Sequence, residues 1–175
     1  MLDAEEIEAA RHQAREALEH AEIVLTPAEA AGIEVADFGL GMLETTGLQI
    51  VTYINTHRVC AKELILLPFQ TCPEHRHPPI DGEPGKEETF RCRRGLVRLY
   101  VEGEPTPSPT AHPPAARAGV YTAAHEVVLH PGEQYTILPN IRHWFQGGPE
   151  GAVVSEFSTR SRDETDIFTD PDIHR

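Results

Sequence analysis

His75-Arg76-His77 is the segment best suited to grip an ion. In an extended chain alternate side chains share a face, so both imidazoles can reach one metal ion. Flanked by prolines, the same pair also reads as two solvated loop histidines. Glu88 follows on a run that reads as a strand, and Lys86, Glu88, Phe90 and Cys92 share one parity. Further on comes His143, eleven residues after Gly132. Three histidines and one glutamate from neighbouring strands would leave room at a shared ion for water or substrate. Such a mixed nitrogen and oxygen set suits Mn, Fe, Ni, Co or Zn, and ligand type alone does not choose among them. Glu156 lies in Ala152-Val-Val-Ser-Glu-Phe-Ser, where it shares a face with Val154 and Ser158. A carboxylate in so apolar a strand is either on a solvated outer face or aimed inward for a purpose. Lys86, two residues before Glu88, reads alone as an exposed lysine or, with Glu88, as part of a site. Lys62, Arg91 and Trp144 are further candidates for touching a substrate. Of Trp144 and Phe145, one is expected in the core and the other in a pocket.

These residues need strands to position them. Leu48–Ile54, Leu64–Leu67, Glu88–Arg93, Leu96–Val101, His125–Leu129, Tyr135–Leu138, His143–Gln146 and Ala152–Ser158 all read as short strands. Asp81-Gly82, Gly95, Pro131-Gly132, Pro139-Asn140 and Gly147-Gly148-Pro149 separate them as turn signals. Asn140 stands where a turn calls for a left-handed residue, which asparagine tolerates. Short strands with no helices between them indicate a mainly β antiparallel barrel or sandwich. Before them, residues 1–22 read as a helix capped by Asp3 and Glu6, with Ile7, Ala10, Ala14 and Leu18 on one side. That stripe is narrow, so weak surface packing is expected. A second short helix should start at Thr26-Pro27 and end near Gly32. Residues 103–118 hold five prolines and read as a stiff surface loop. The tail from Arg160 is charged and rich in aspartate.

The 175 residues suit one domain with a full core, here the helix of residues 1–22 and a barrel of residues 23–175. Lys plus Arg number 15 against 28 Asp plus Glu, a net charge of −13. That charge repels phosphate backbones and anionic lipid, so neither nucleic acid nor membrane is an expected partner. The acidic N-terminus lacks the apolar stretch of a secretory signal. Cys60, Cys72 and Cys92 form no CxxC pair, which argues for a reducing, cytoplasmic setting rather than a disulfide framework. No GxSxG, GxGxxG or phosphate-binding glycine loop is present.

His75-x-His77, Glu88 and Gly95, with Gly132 through His143 as a second block, resemble the two-part cupin signature. Phe69 stands where that signature has a first glycine, the gap from His77 to Glu88 is longer, and Asn140 replaces a later glycine. None of these departures removes a ligand, and the long gap leaves room for a loop, residues 78–85, over the barrel mouth. Longer blocks are more specific. Thr71-Cys-Pro-Glu-His-Arg-His-Pro-Pro, Gly85-Lys-Glu-Glu-Thr-Phe-Arg-Cys-Arg, Pro131-Gly-Glu-Gln-Tyr-Thr-Ile, His143-Trp-Phe-Gln and Asp166-Ile-Phe-Thr-Asp-Pro resemble the D-lyxose ketol-isomerases, from about Ile23 to Ile173.

The resemblance implies an antiparallel cupin (jelly-roll) β-barrel with one or two N-terminal helices. It implies a metal held by His75, His77, Glu88 and His143, with manganese the first expectation and Zn, Co, Ni or Fe as alternatives. It also implies that Glu156 and Lys86 are catalytic. The expected reaction interconverts D-lyxose and D-xylulose, with D-mannose and D-fructose as a related pair, in a homodimer. Such a reaction moves a proton between carbons 2 and 1 and needs a polarised carbonyl and a carboxylate base. Three other readings stay open on the residues alone: a phosphorylated sugar as substrate, an iron-dependent dioxygenase, and a non-catalytic metal- or sugar-binding cupin.

Overall fold

The computed structural model describes residues 2–174. Asp3 caps α1 (Ala4–His20), accepting from the backbone N–H groups of Glu5 and Glu6, while Glu6 reaches back to the Asp3 N–H. Thr26 and Glu29 form the same reciprocal cap on α2 (Pro27–Ala31), which stops at Gly32. The packing of α1 is tighter than its narrow stripe suggests. Ala14 and Leu18 are fully buried in a cluster with Ile33, Val51, Ile65 and Val153 on the outside of the sheet.

The strands are β1 (Glu34–Ala36), β2 (Leu48–Asn55), β3 (Cys60–Leu66), β4 (Thr71–Arg76), β5 (Glu88–Val101), β6 (His125–Leu129), β7 (Gln134–Ile137), β8 (His143–Ser158) and β9 (Ile167–Phe168). All ladders between them are antiparallel. The order is β1-β2-β3-β8-β4-β9, and β5 lies along β8 while also pairing with β6 and β7. β8 is the pivot. Its first half pairs with β4 and its second half with β3, while β5 follows it from Glu88↔Ser158 to Val101↔His143. So long a ribbon must bend, and Gly95 supplies the bend at φ 76°. A Cβ there would lie 2.2 Å from the Gly151 carbonyl oxygen, so only glycine lets the strands pass. The turns expected at Gly95 and at Gly147-Gly148-Pro149 therefore fall within two long strands rather than between separate ones. Phe69, in place of the cupin glycine, adopts the glycine-like conformation itself at φ 58°, and Asn140 does so at φ 63°.

The sheet curls into the antiparallel cupin barrel. Leu64, Leu66, Phe90, Leu99, Phe145 and Val154 fill its interior. Two segments behave differently from their composition. The proline-rich segment is not purely surface: its Ala111, with Ala123, Tyr100 and Trp144, forms a small separate core. There the Trp144 ring stacks on Tyr100 with centroids 4.0 Å apart, and its indole N–H donates to the Ala123 carbonyl. The charged tail is not free either. It returns along β4 as β9, pairing Phe168 with His75 and Ile167 with Arg76.

The tail and the proline segment hold each other. The Arg117 guanidinium donates to both Asp170 oxygens, at 2.6 and 2.5 Å, and to Asp172 at 2.8 Å. Buried Glu74 accepts from Thr122, Ala123 and Thr169, tying β4 to both segments.

One buried carboxylate lies on the outer face of the sheet. Glu63 on β3 is 5% exposed and accepts from the Ser155 hydroxyl at 2.8 and 3.0 Å. Burial raises its pKa above the usual range, against the pull of Ser155 and Arg93. An acid with a raised folded pKa favours the fold when protonated, and that contribution is lost as pH rises from the ordinary glutamate range through the folded value. Glu63→Gln should therefore raise the melting temperature at pH 8. The gain should shrink toward zero as pH falls toward 4.5. A difference independent of pH would show that the charge of Glu63 costs the fold nothing.

Candidate active site

The curl of the sheet brings four residues from distant parts of the chain to one place. His75 lies on β4, His77 just beyond it, Glu88 at the start of β5 and His143 at the start of β8. One ligand atom from each lies within 4.8 Å of all the others, and all four residues are buried. The ring orientations are fixed from behind. His75 Nδ1 meets the Pro73 carbonyl at 2.8 Å, and His143 Nδ1 meets the Ile141 carbonyl at 3.0 Å. His77 Nδ1 meets the Asp166 carboxylate at 2.6 Å. A carbonyl or carboxylate oxygen only accepts, so each Nδ1 carries the hydrogen and each Nε2 is turned toward the centre of the cluster.

His77 Nε2 meets Glu88 Oε1 at 3.2 Å. His143 Nε2 is buried without a hydrogen bond, although Glu88 Oε1 lies 2.9 Å away. Two lone pairs facing at that distance repel, and a cation between them removes the conflict. The residues therefore fit a divalent ion: three imidazoles, one carboxylate, and hydrogen bonds behind the imidazoles to fix them. Burial and the neighbouring imidazoles His143 and His77 hold His75 well below its ordinary pKa, which is the neutral form a ligand needs. Burial opposes charge on His77 as well, yet the Glu88 carboxylate and the Asp166 hydrogen bond push it up to about 9, so its Nε2 holds a proton at neutral pH that a bound ion would displace. Burial opposes the Glu88 carboxylate too, but Lys86 and His77 outweigh this and hold it well below the usual range.

Beside this cluster lies an ion-pair bridge. Lys86 Nζ is 2.7 Å from Glu88 Oε2 and 2.7 Å from Glu156 Oε1, with all three side chains buried. Ser158 donates to the same Glu156 oxygen at 3.0 Å. Burial disfavours the ammonium, but Glu156 and Glu88 reverse this and hold Lys86 well above the ordinary lysine value. Lys62, next to Glu156 in the β3–β8 register, donates to Asp163 at 2.9 Å and to Ser161 at 3.0 Å. Lys62 and Lys86 are the only lysines among the 15 basic residues of the chain. An inner cavity of about 30 Å³ touches Lys62, Lys86, His75, His77, Glu88 and Glu156. An outer vestibule of about 260 Å³ shares Lys86, His77 and Asp166 with it and opens to the surface between loop 78–85 and the tail.

Two expected substrate contacts lie elsewhere. Arg91 alternates away from Glu88 and donates to Gln134 on the outer face of the sheet. Trp144 alternates away from His143 into the small core under the proline segment, while Phe145 faces the inner cavity. Trp144, expected at the substrate, is thus the core member of the pair and Phe145 the one at the cavity. Four residues of the tail reach the site without having been expected there: Ser161 and Asp163 on Lys62, Asp166 on His77, and Phe168 against the His75 ring at 5.4 Å. The available signal was Ile167-Phe168, an apolar pair in a charged tail.

No family model matches the chain. Individual proteins do. A D-lyxose/D-mannose isomerase from Thermosediminibacter oceani is 61% identical over 175 residues, 100% of this chain and 97% of that protein. A D-lyxose ketol-isomerase from Cohnella laeviribosi is 64% identical over 95% of this chain and 91% of its own. One from Thermofilum sp. is 58% identical over 100% and 97%. The chain belongs to the D-lyxose ketol-isomerase family. Among solved structures, L-ribose isomerase from Acinetobacter sp. DL28 superposes with a TM-score of 0.83 at 16% identity, covering 98% of this chain and 94% of its own. L-ribose isomerase from Cellulomonas parahominis gives 0.79 at 17%, covering 98% and 94%. At such identities the likeness establishes the shared cupin fold.

Within this family fold, Asp166 is the carboxylate behind one imidazole. Asp166→Asn keeps the shape but exchanges the charged acceptor for a neutral amide. Affinity for Mn²⁺ should fall by about 10–100-fold, the usual effect of losing such an outer partner. Titration calorimetry on metal-stripped protein measures it, and unchanged affinity would show that Asp166 does not support the ion.

Proposed function

We propose that this site interconverts D-lyxose and D-xylulose, with D-mannose and D-fructose as a second pair. The observation that carries the reading is the buried Glu88–Lys86–Glu156 bridge beside three convergent imidazoles. His75, His77, Glu88 and His143 would hold a divalent ion, which when bound supplies Lewis-acid polarisation of the sugar carbonyl. We take that ion to be Mn²⁺, which suits a mixed nitrogen and oxygen set with open positions.

The proton transfers fall to two residues. Lys86 is held as an ammonium, so it cannot serve as the base; it can donate to the sugar oxygens. Glu156 is then the base. Its carboxylate takes the proton from carbon 2 of the aldose and returns it to carbon 1, while Lys86 hands a proton to oxygen 1 and regains one from the hydroxyl on carbon 2. Protons balance across the two exchanges and no redox partner is needed. Lys62, held by Asp163 and Ser161, is placed to hold a hydroxyl further along the sugar. Phe90, Phe145 and Phe168 line the inner cavity and exclude water, which strengthens each polar contact there.

Three coarser properties belong to the same reading. The free, buried cysteines Cys60, Cys72 and Cys92 support a reducing compartment, the cytoplasm. No helix among the described residues is long and apolar enough to cross a membrane. Tyr53, Ile54, Val59 and Phe157 are exposed apolar residues on or beside the paired strands β2, β3 and β8, and they support a homodimer through this region.

The test is metal-stripped protein with Mn²⁺ restored, assayed for D-xylulose formed from D-lyxose, with Glu156→Gln alongside. Turnover should require the ion. The variant should lose about 10²–10⁴-fold in kcat, the contribution of a general base, with metal content unchanged. Full activity in the variant would remove Glu156 from the proton path, and no turnover of any free aldose by metal-loaded protein would overturn the reading.

A further inference from the structure

The outer vestibule carries a charge opposite to that of the chain. The protein has a net charge of −13, yet Arg58, Arg160 and Arg162 line this one opening together with His57 and Lys86. The two acids of the lining are already engaged: Glu83 pairs with Arg162 across the opening, and Asp166 with His77. Lys86 is committed to Glu88 and Glu156. Among the described residues, the Arg58 and Arg160 guanidinium groups make no hydrogen bond or ion pair, and both residues are exposed. Unopposed cations in a concave opening concentrate positive potential there and attract anions. Guanidinium groups in particular bind phosphate through paired N–H donors.

The position of this opening gives the charge a use. It shares His77, Lys86 and Asp166 with the inner cavity, so one ligand can occupy both. A sugar with its carbon 1 and carbon 2 at Lys86 and Glu156 would direct its far end outward, toward Arg58 and Arg160. We propose that the vestibule is an anion subsite and that the enzyme also isomerises five- or six-carbon aldoses phosphorylated on the terminal carbon. This rests on the isomerase reading for the chemistry, since the same two proton exchanges operate and the phosphate ester stays intact. The subsite itself rests only on the free arginines and the shared opening.

D-Lyxose 5-phosphate and D-mannose 6-phosphate are the probes, compared with the free sugars at 0.15 M salt so that non-specific attraction is screened (a Debye length of about 8 Å). The phosphorylated sugars should turn over with KM about tenfold or more below their free counterparts. The double variant Arg58→Gln/Arg160→Gln should erase that difference while leaving D-lyxose kcat/KM within about twofold. Inorganic phosphate, the free-anion arm, should compete with the phosphorylated sugars in the native enzyme and lose this effect in the double variant. Absence of turnover and of calorimetric binding for both phosphorylated sugars would overturn the proposal. So would phosphate inhibition that persists in the double variant, because the anion would then be acting at the metal ligands. Arginine-dependent binding of the phosphorylated sugars, with no turnover of either sugar class, would uphold the subsite and reject the isomerase reading.

Discussion

Everything near the barrel mouth depends on burying charge without leaving any of it unmatched. Glu88, Glu156, Lys62 and Lys86 are each nine-tenths or more buried, beside a core cluster of aliphatic and aromatic side chains. An isolated ion in such a place costs several kcal/mol, and removing one member of a buried pair leaves that cost uncompensated. The bridge answers this by giving Lys86 a carboxylate on either side, at 2.7 Å each. The ammonium is then locked in its charged form, which is what suits the lysine to donate and the glutamate to accept in the proposed reaction. Lys62 repeats the device with Asp163.

The same requirement explains the tail. Asp163, Asp166 and Phe168 all lie after β8, beyond the strands that form the barrel. A segment that supplies a carboxylate to Lys62, another to His77 and a ring against His75 must stay in register, and two residues of β9 cannot ensure that alone. Arg117 from the proline-rich segment grips Asp170 with a two-pronged contact, and Glu74 ties Thr122 and Thr169 to β4. Planar guanidinium–carboxylate pairing fixes direction as well as distance. The stiffness that proline gives its segment thus passes to the tail, and through the tail to the back of the His77 ring.

Much of this was legible in the residues. Strand alternation placed Lys86 with Glu88, whereas Arg91, expected at the substrate, has the opposite parity and its guanidinium is found on the outer face. The caps of α1 and α2 and the left-handed Asn140 followed from local chemistry that tertiary contacts did not override. The missed features share one physical cause. A glycine reads as a turn, and nothing local distinguishes a chain reversal from a bend forced by a second strand crossing at Gly95. An aspartate in a charged tail reads as solvated, because its partners, His77 and Lys62, lie 89 and 101 residues away. Trp144 was misplaced by proximity to His143, although neighbours in a strand face opposite ways.

The choice of cation follows the same logic one step further. The chain uses arginine for nearly all its positive charge and keeps lysine for the two buried sites. A guanidinium spreads its charge over a rigid plane and does not give up its proton, which suits it to grip a carboxylate or a phosphate and to stay outside the chemistry. An ammonium is compact, fits between two carboxylates at hydrogen-bond distance, and exchanges protons with a hydroxyl it contacts. Replacing Lys86 by arginine would preserve the charge but widen the group beyond the space between Glu88 and Glu156. In the proposed reaction, the proton exchanged between sugar oxygens would then lose its carrier. Charge alone therefore does not account for Lys86: its size fits the gap between two carboxylates, its exchangeable proton fits the proposed reaction, and the arginines at the opening are suited to the opposite task.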